Sequence, residues 1–141
     1  MAVAFPYTRV RGKSGIILKP YIYGLLRHGG RATPPWNMLV DTGSDFCLFD
    51  VVLVQQLLGL DVTSVGRRDE IYGLEGKQPA FIYPADLYVR DLRRAFAIRD
   101  AYYTRLSGGI AGILGHNGFL DQVSVRFVRG RHFEVESEMS P

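Results

Sequence analysis

An aspartate follows a short apolar run in the first third of the sequence. The run comprises Met38, Leu39 and Val40, and it ends at Asp41. Such a run predicts a buried strand, so the Asp41 carboxylate would stand at the strand's end. Gly43 would let the backbone turn tightly there and approach a ligand closely. A carboxylate placed in this way is suited to general acid–base chemistry.

Two hydroxyl side chains follow Asp41 closely. Thr42 and Ser44 can each donate a hydrogen bond, so the carboxylate can be held in one orientation. The triplet Asp-Thr-Gly also arises by chance in ordinary turns, and this segment alone leaves a purely structural role open.

A second apolar segment ends in a glycine about seventy residues later. It runs from Ile110 to Gly115 and leads into a short helical turn predicted at 117–120. The ordered pair Leu39-Val40-Asp41-Thr42-Gly43 and Ile113-Leu114-Gly115 resembles the retropepsin-like aspartic proteases, the single-domain relatives of retroviral proteases. In that family the two segments form strands that lie against each other, and a helix follows. The resemblance spans roughly residues 16–128.

The resemblance implies a catalytic role for Asp41, in a loop supported by Thr42, Gly43, Ser44 and, from the second segment, Gly115. Acid–base hydrolysis of a peptide needs two carboxyl groups that share one proton, and this sequence has one Asp-Thr-Gly. A two-fold homodimer would supply the second carboxyl group from a second copy of Asp41. The resemblance further implies that the Thr42 hydroxyl crosses the dimer axis and that the Gly43 backbone receives the substrate. No metal ion or organic cofactor is expected.

A glycine-rich segment lies between the two motifs. It contains Tyr72, Gly73, Leu74 and Gly76. In the family a β-hairpin flap occupies this place and folds over bound peptide, and the Tyr72-Gly73 pair also resembles the flap of pepsin-type enzymes. An ordinary hairpin turn with a surface tyrosine stays open as the alternative.

Further site residues follow from the resemblance alone. Asp45 and His116 would meet near the dimer interface, where the family usually pairs an acidic residue with an arginine. The histidine departs from that pattern, and such a pair would weaken as it loses its proton near neutral pH. A solvent-facing histidine is the alternative. Ile110, Ala111 and Ile113 align with positions that line substrate pockets, although apolar residues there also fit a core.

The predicted fold class is mostly β, and the resemblance implies a closed antiparallel acid-protease barrel with a β-hairpin flap and one or two short helices. A single domain is expected over residues 1–141, with its core at about 15–128 and a C-terminal strand or tail at 129–141. One helix is predicted from Val51 to Leu58, with Asp50 as its N-cap and Gly59 at its end. Strands are predicted at 15–26, 38–40, 62–71, 79–90, 94–103, 110–114, 123–128 and 133–135.

Composition excludes several other classes of protein. Hydrophobic residues make up 47% and charged residues 22%, values typical of a globular domain. The net charge of +3 is too small and too scattered to predict nucleic-acid binding. No apolar run approaches the roughly 20 residues that cross a bilayer, so we expect no membrane partner and a cytoplasmic location. Cys47 is the single cysteine, which predicts a small buried side chain and no internal disulfide.

The sequence therefore predicts an aspartic endopeptidase that cleaves extended peptides as a homodimer. One alternative is a catalytically silent module that keeps the fold and binds peptides or acts as a scaffold. The intact Asp-Thr-Gly motif at Asp41 argues against it, since binding alone has no need of that carboxylate. The other alternative is a small nucleic-acid-binding β-barrel, which only the basic balance favours.

Overall fold

The computed structural model describes residues 2–73 and 76–137, and these are mainly β-strands. In chain order the strands are β1 (Val3–Pro6), β2 (Thr8–Gly12), β3 (Gly15–Lys19), β4 (Tyr21–His28), β5 (Arg31–Ala32), β6 (Trp36–Val40), β7 (Leu48–Asp50), β8 (Arg67–Gly73), β9 (Gly76–Val89), β10 (Arg94–Thr104), β11 (Gly112–Leu114), β12 (Ser124–Val128) and β13 (His132–Glu136). The helices are α1 (Val51–Leu58) and α2 (Val62–Val65), with short 3-10 turns at Arg90–Leu92 and Leu120–Gln122. The prediction of a mostly β chain with one or two short helices is confirmed.

The largest sheet closes into a ring. Its strand order is β5-β4-β6-β11-β7-β10-β9-β8, and an additional pairing of β4 with β9 joins strands from opposite ends of this order. The resemblance implied a mostly antiparallel sheet, and most pairings are antiparallel, whereas β6 pairs with β11 and β7 pairs with β10 in parallel. Parallel neighbours need long connections, and in both cases other strands lie between the two partners along the chain.

Strand β9 shows how the sequence specifies two separate cores. Its N-terminal half buries Ala80 and Ile82 in a small cluster, while its C-terminal half buries Leu87 and Val89 in the main core. One unbroken alternation accounts for both clusters: Phe81, Tyr83, Ala85, Leu87 and Val89 contact the main core, while Ala80 and Ile82 lie on the other face. The register shift with β10 comes from an extra residue in β10, between Ile98 and Ala101.

Helix α1 has the predicted bounds because both of its ends are capped. The Asp50 carboxylate accepts hydrogen bonds from the amides of Val52 at 2.9 Å and Leu53 at 3.2 Å. Gly59 ends the helix in the left-handed conformation at φ 67°. The helix buries Val54 and Leu58 against the main core.

The N-cap yields a stability prediction. Replacing Asp50 with alanine leaves two amides of α1 without their acceptor, so we expect the free energy of unfolding to fall by about 1 kcal/mol. Asp50→Asn keeps an acceptor oxygen at the same place and serves as the matched control. Urea denaturation measures both values, and equal stabilities of the two variants would contradict the capping role.

The strand predicted at 62–71 is partly wrong. Residues Val62–Val65 form α2, and β8 begins only at Arg67. The Asp61 carboxylate accepts hydrogen bonds from the Thr63 amide at 3.1 Å and from the Ser64 hydroxyl at 3.0 Å. Such local bonds stabilise a helical turn over an extended strand, even where Val and Thr favour strands.

Two further boundaries differ near the second motif. The strand predicted at 110–114 is confined to β11, and the helical turn predicted at 117–120 lies instead at Leu120–Gln122. Ala111, just before β11, already bonds to both neighbouring strands: its amide donates to the Asn37 carbonyl of β6, and its carbonyl accepts from the Asp50 amide of β7.

The two ends of the described chain form a second sheet in the order β1-β13-β12. The expected bounds of the domain stay a prediction, and Phe5, Phe133 and Val135 belong to the main core. The rings of Phe5 and Phe133 stack with centroids 5.2 Å apart. The terminal strands of the chain thus pair with each other and pack on the same core as the ring.

Candidate active site

The parallel pairing of β6 with β11 places Asp41 at the end of a buried strand, as predicted. Leu39 lies opposite Ile113 and Val40 opposite Leu114. The Asp41 amide continues the ladder by donating to the Leu114 carbonyl at 3.0 Å. The side chain of Asp41 is half-buried. The two sequence motifs therefore lie on adjacent strands, and Asp41 stands where these strands reach the surface of the molecule.

A tight turn orients the Asp41 carboxylate through the backbone. The Gly43 amide donates to Asp41 Oδ1 at 2.9 Å, and the Ser44 amide donates to the Asp41 carbonyl at 3.2 Å. We predicted that the Ser44 hydroxyl would hold the carboxylate, but it donates to the Phe46 carbonyl at 2.8 Å. The amide of Gly43 lies nearer because the turn folds back on Asp41. Thr42 and Gly43 themselves are exposed.

The second motif interlocks with this turn and supports it. The amides of His116 and Asn117 donate to the carbonyls of Ser44 and Asp45, both at 2.9 Å. Gly115 packs so closely that a β-carbon there would overlap the carbonyl oxygens of Ser44 and Phe46. A glycine is therefore required at this position by space alone, and not by an unusual φ angle.

His116 contacts the Asp-Thr-Gly turn directly. Its Nε2 atom lies 2.7 Å from the Thr42 carbonyl oxygen. Because a carbonyl can only accept, the hydrogen bond requires a proton on Nε2 in either charge state of the ring. The pairing expected between Asp45 and His116 does not form within one chain: no ion pair joins them among the described residues. The Asp45 side chain is exposed to solvent instead.

The glycine-rich segment forms a hairpin in which β8 pairs with β9 and Gly73 lies opposite Gly76. Leu74 of the predicted flap lies outside the described residues. Tyr72 is 74% exposed, and the Lys77 ammonium lies 5.5 Å from its ring centroid. Hairpin geometry at this place is as the resemblance implies, while movement over a substrate stays a prediction.

A cleft of about 350 Å³ runs between the Asp41 loop and this hairpin. Its lining comes from the loop, from β7, from the hairpin and from β10: Gly43, Ser44, Asp45, Phe46, Leu48, Glu70, Ile71, Tyr72 and Tyr102. The lining combines apolar side chains with polar and acidic ones, and ligand sites commonly combine the two. A second cavity of about 310 Å³ beside α1 has no acidic residue in its lining and does not reach the loop.

One wall of the cleft is aromatic and was not among the predicted site residues. Phe46 and Tyr102 lie with ring centroids 4.4 Å apart, and the Tyr102 hydroxyl donates to Asp69 at 3.3 Å. Burial, and then the negative charge of Asp69, raise the pKa of Tyr102. The signal was present as an alternation: Phe46 and Leu48 stand two apart, and period two brings both to one face.

The three predicted pocket residues fall into two environments. Ala111 is 2% exposed and belongs to the main core, so its side chain is not open to a ligand in this chain. Ile110 and Ile113 are half-buried. Ile113 lies opposite both Leu39 and Leu48, and the latter lines the cleft.

Residues 2–73 and 76–137 give little support for a metal site or a cysteine nucleophile. No group of three or more His, Cys, Asp or Glu side chains is placed to hold a metal ion there. Cys47 is fully buried, as predicted, and burial raises the pKa of its thiol to about 11. A thiol with that pKa stays protonated near neutral pH and is a poor nucleophile. Within the same ranges, no helix combines the length and apolar character that crossing a bilayer requires.

Comparison of the fold with solved structures identifies retropepsin-like proteins. One similar structure is a retropepsin-like aspartic protease from Rickettsia conorii, with a TM-score of 0.57 and 15% identity over 96% of this chain and 92% of that one. Another is EIAV protease complexed with the inhibitor HBY-793, with a TM-score of 0.50 and 21% identity over 70% of this chain and 82% of that one. No family model matches the sequence, and no curated protein matches it either. The chain therefore has a retropepsin-like fold, as its two motifs predicted.

Proposed function

We propose that this chain, with its retropepsin-like fold, is an aspartic endopeptidase that acts as a homodimer. The observation that carries the proposal is the Asp41 carboxylate, which stands half-buried at the end of β6 with one oxygen held by the Gly43 amide at 2.9 Å. The Asp-Thr-Gly triplet occurs once in the sequence, so a second chain must supply the second carboxyl group. A two-fold axis beside the exposed residues Thr42 and Gly43 would bring the two loops together.

The proposed reaction needs only water and the two Asp41 side chains. The ionised carboxylate takes a proton from a water molecule, and the oxygen of that water attacks the peptide carbonyl carbon. Meanwhile the protonated carboxyl group donates a hydrogen bond to the carbonyl oxygen. The tetrahedral intermediate then re-forms its C=O bond as its C–N bond breaks, and the carboxyl group that took the proton from water donates it to the leaving nitrogen, so the pair again holds one proton. Two close carboxyl groups resist ionising together, so the pair holds one proton and titrates in two coupled steps.

The proposed peptide substrate would bind in the cleft between the Asp41 loop and the hairpin. An extended peptide that enters beside Gly43 would pass beneath the hairpin of β8 and β9 and reach the apolar side chains Phe46, Leu48 and Ile71. The exposed Gly43 brings its backbone close to the substrate, because no side chain stands in the way. Apolar residues on either side of the scissile bond are the expected preference.

A peptide library tests the proposal directly. The chain is incubated with the library from acidic to neutral pH, and new termini are identified by mass spectrometry. We expect cleavage at discrete sites, with a specific activity that rises with protein concentration as dimers form. Peptide binding without any cleavage over that range would instead establish the silent module.

The contact between His116 and the Asp-Thr-Gly turn yields a second functional prediction. Replacing His116 with leucine removes the donor to the Thr42 carbonyl, and we expect kcat to fall roughly tenfold, the equivalent of one hydrogen bond. His116→Gln places an amide donor at a similar distance along the side chain and should recover most of the activity. Steady-state kinetics of both variants decide the matter, and equal losses in the two would show that the hydrogen bond itself is unimportant.

A further inference from the structure

The hairpin formed by β2 and β3 stands apart from the rest of the fold. These strands pair only with each other in a separate two-stranded sheet, among the residues that the structure describes. Near its tip three consecutive aliphatic side chains are open to solvent: Ile16 at 54%, Ile17 at 43% and Leu18 at 47%. Exposed aliphatic side chains are unremarkable singly, but a contiguous group marks a contact surface.

The pairing register gives both faces of the hairpin exposed aliphatic side chains. Ile16 and Leu18 lie on one face opposite Arg11 and Arg9, so this face is both apolar and basic. Ile17 lies opposite Val10 on the other face. A folded protein partner would cover one of these faces and leave the second in water. A medium that surrounds the tip, such as the interior of a lipid leaflet, would cover both faces at once.

The charge of the hairpin is of a single sign. It carries Arg9, Arg11, Lys13 and Lys19, and no Asp or Glu precedes Asp41 anywhere in the sequence. The N-terminal segment is therefore basic although the net charge of the chain is only +3. The prediction that charge is scattered evenly along the sequence is wrong for this segment. Arg9, Arg11 and Lys13 are exposed, so their cationic groups are free to meet an anionic surface.

We propose that the β2–β3 hairpin docks the protein on the surface of a bilayer that contains anionic lipids. Ile16, Ile17 and Leu18 enter the region between headgroups and acyl chains, while the basic side chains extend to the lipid phosphates. Pairing of two hairpins from separate copies is disfavoured, because it would bring two sets of like charges together.

This peripheral mode needs no membrane-spanning helix. The expectation of no membrane partner depended on the absence of a long apolar run, and a short basic hairpin binds by a different mechanism. The inference is independent of the proposed peptidase activity, because it uses no residue of the Asp41 loop or its cleft.

Vesicle sedimentation tests the proposal with the full chain. Vesicles of phosphatidylcholine are compared with vesicles that also contain about 30% phosphatidylserine, at low and high salt. We expect binding to the anionic vesicles only, with at least about a tenfold loss at high salt or in the double variant R9Q/R11Q. The double variant R90Q/R99Q removes two exposed arginines elsewhere and should bind like the wild type.

An apolar variant and a tip label separate insertion from simple charge attraction. The variant I16S/L18S should lose most of the binding, whereas V65S, at a position that is 57% exposed in α2, should not. Because Cys47 is fully buried, Ser14→Cys can be labelled selectively at the hairpin tip with a polarity-sensitive dye. We expect a blue shift with anionic vesicles, and none for the same dye at the exposed Ser107→Cys.

Three results would overturn the proposal. The first is no binding to anionic vesicles by a wild-type chain that is folded by circular dichroism. The second is full binding by I16S/L18S. The third is self-association that depends on the hairpin, seen by sedimentation velocity, since this would assign the surface to a second copy.

Discussion

Replacing Asp41 with asparagine is expected to lower kcat for peptide hydrolysis at least about 10³-fold without lowering stability. Asparagine has the same shape as aspartate, and its side-chain oxygen can still accept the hydrogen bond from the Gly43 amide. The amide cannot take a proton from water, however, so general-base catalysis is lost. The fold should tolerate the change because the side chain is only half-buried and makes no ion pair among the described residues.

Asp91→Asn is the matched control for this measurement. Asp91 is exposed in the 3-10 turn Arg90–Leu92 and takes no part in the cleft. Its replacement should change neither kcat nor the midpoint of thermal unfolding. Activity of Asp41→Asn within about tenfold of the wild type would show that another group performs the hydrolysis.

Replacing Gly115 with alanine is expected to cause the largest loss of stability among single substitutions at the site. The added β-carbon would overlap the carbonyl oxygens of Ser44 and Phe46, and backbone atoms cannot move aside as a flexible side chain can. To relieve this overlap, the end of β11 and the Asp41 loop must move apart. This would break the hydrogen bonds from His116 and Asn117 to that loop, at a cost of about 3 kcal/mol or more.

Gly73→Ala is the matched control, because a β-carbon at Gly73 meets no atom within 4 Å and its φ angle is ordinary. Urea denaturation should give a nearly unchanged free energy of unfolding for this control and a much lower value for Gly115→Ala. A loss below about 1 kcal/mol for Gly115→Ala would mean that the two motifs interlock less tightly than the structure indicates.

The parts of the fold that the sequence predicted well are those fixed by local chemistry. Helix α1 has its predicted bounds because Asp50 and Gly59 cap it within the segment itself. Asp41 stands at the end of β6 because the apolar run before it is short and ends abruptly. Each of these features depends on neighbouring residues, and a single sequence carries that information.

The parts that were missed depend on contacts between distant residues. The bulge of β10 between Ile98 and Ala101 depends on its pairing with β9, and the terminal sheet depends on the packing of Phe5 on Phe133. The contact of the His116 ring with the Thr42 carbonyl within one chain likewise joins residues far apart in the sequence, while the meeting with Asp45 near a dimer interface stays a prediction. Periodicity and spacing say nothing about such partners.

The walls of the cleft were missed for the same reason. Phe46 follows the first motif, whereas Tyr102 comes from β10, and only the pairing of β7 with β10 brings their rings together. Residues near a recognised motif are easy to assign to a site from sequence. Site residues on a neighbouring strand, such as Tyr102 of β10, can be assigned only once the order of strands in the sheet is known.

Subunit mixing tests the central claim, which is that each chain supplies one carboxyl group to a shared site. Wild-type chain and Asp41→Asn are unfolded together in equal amounts and refolded at constant total concentration, so that subunits pair at random. If both copies of Asp41 are needed, only wild-type pairs are active, and the rate falls to about one quarter of that of the wild type alone. A rate of about one half would mean that each chain works by itself, and this would contradict the account.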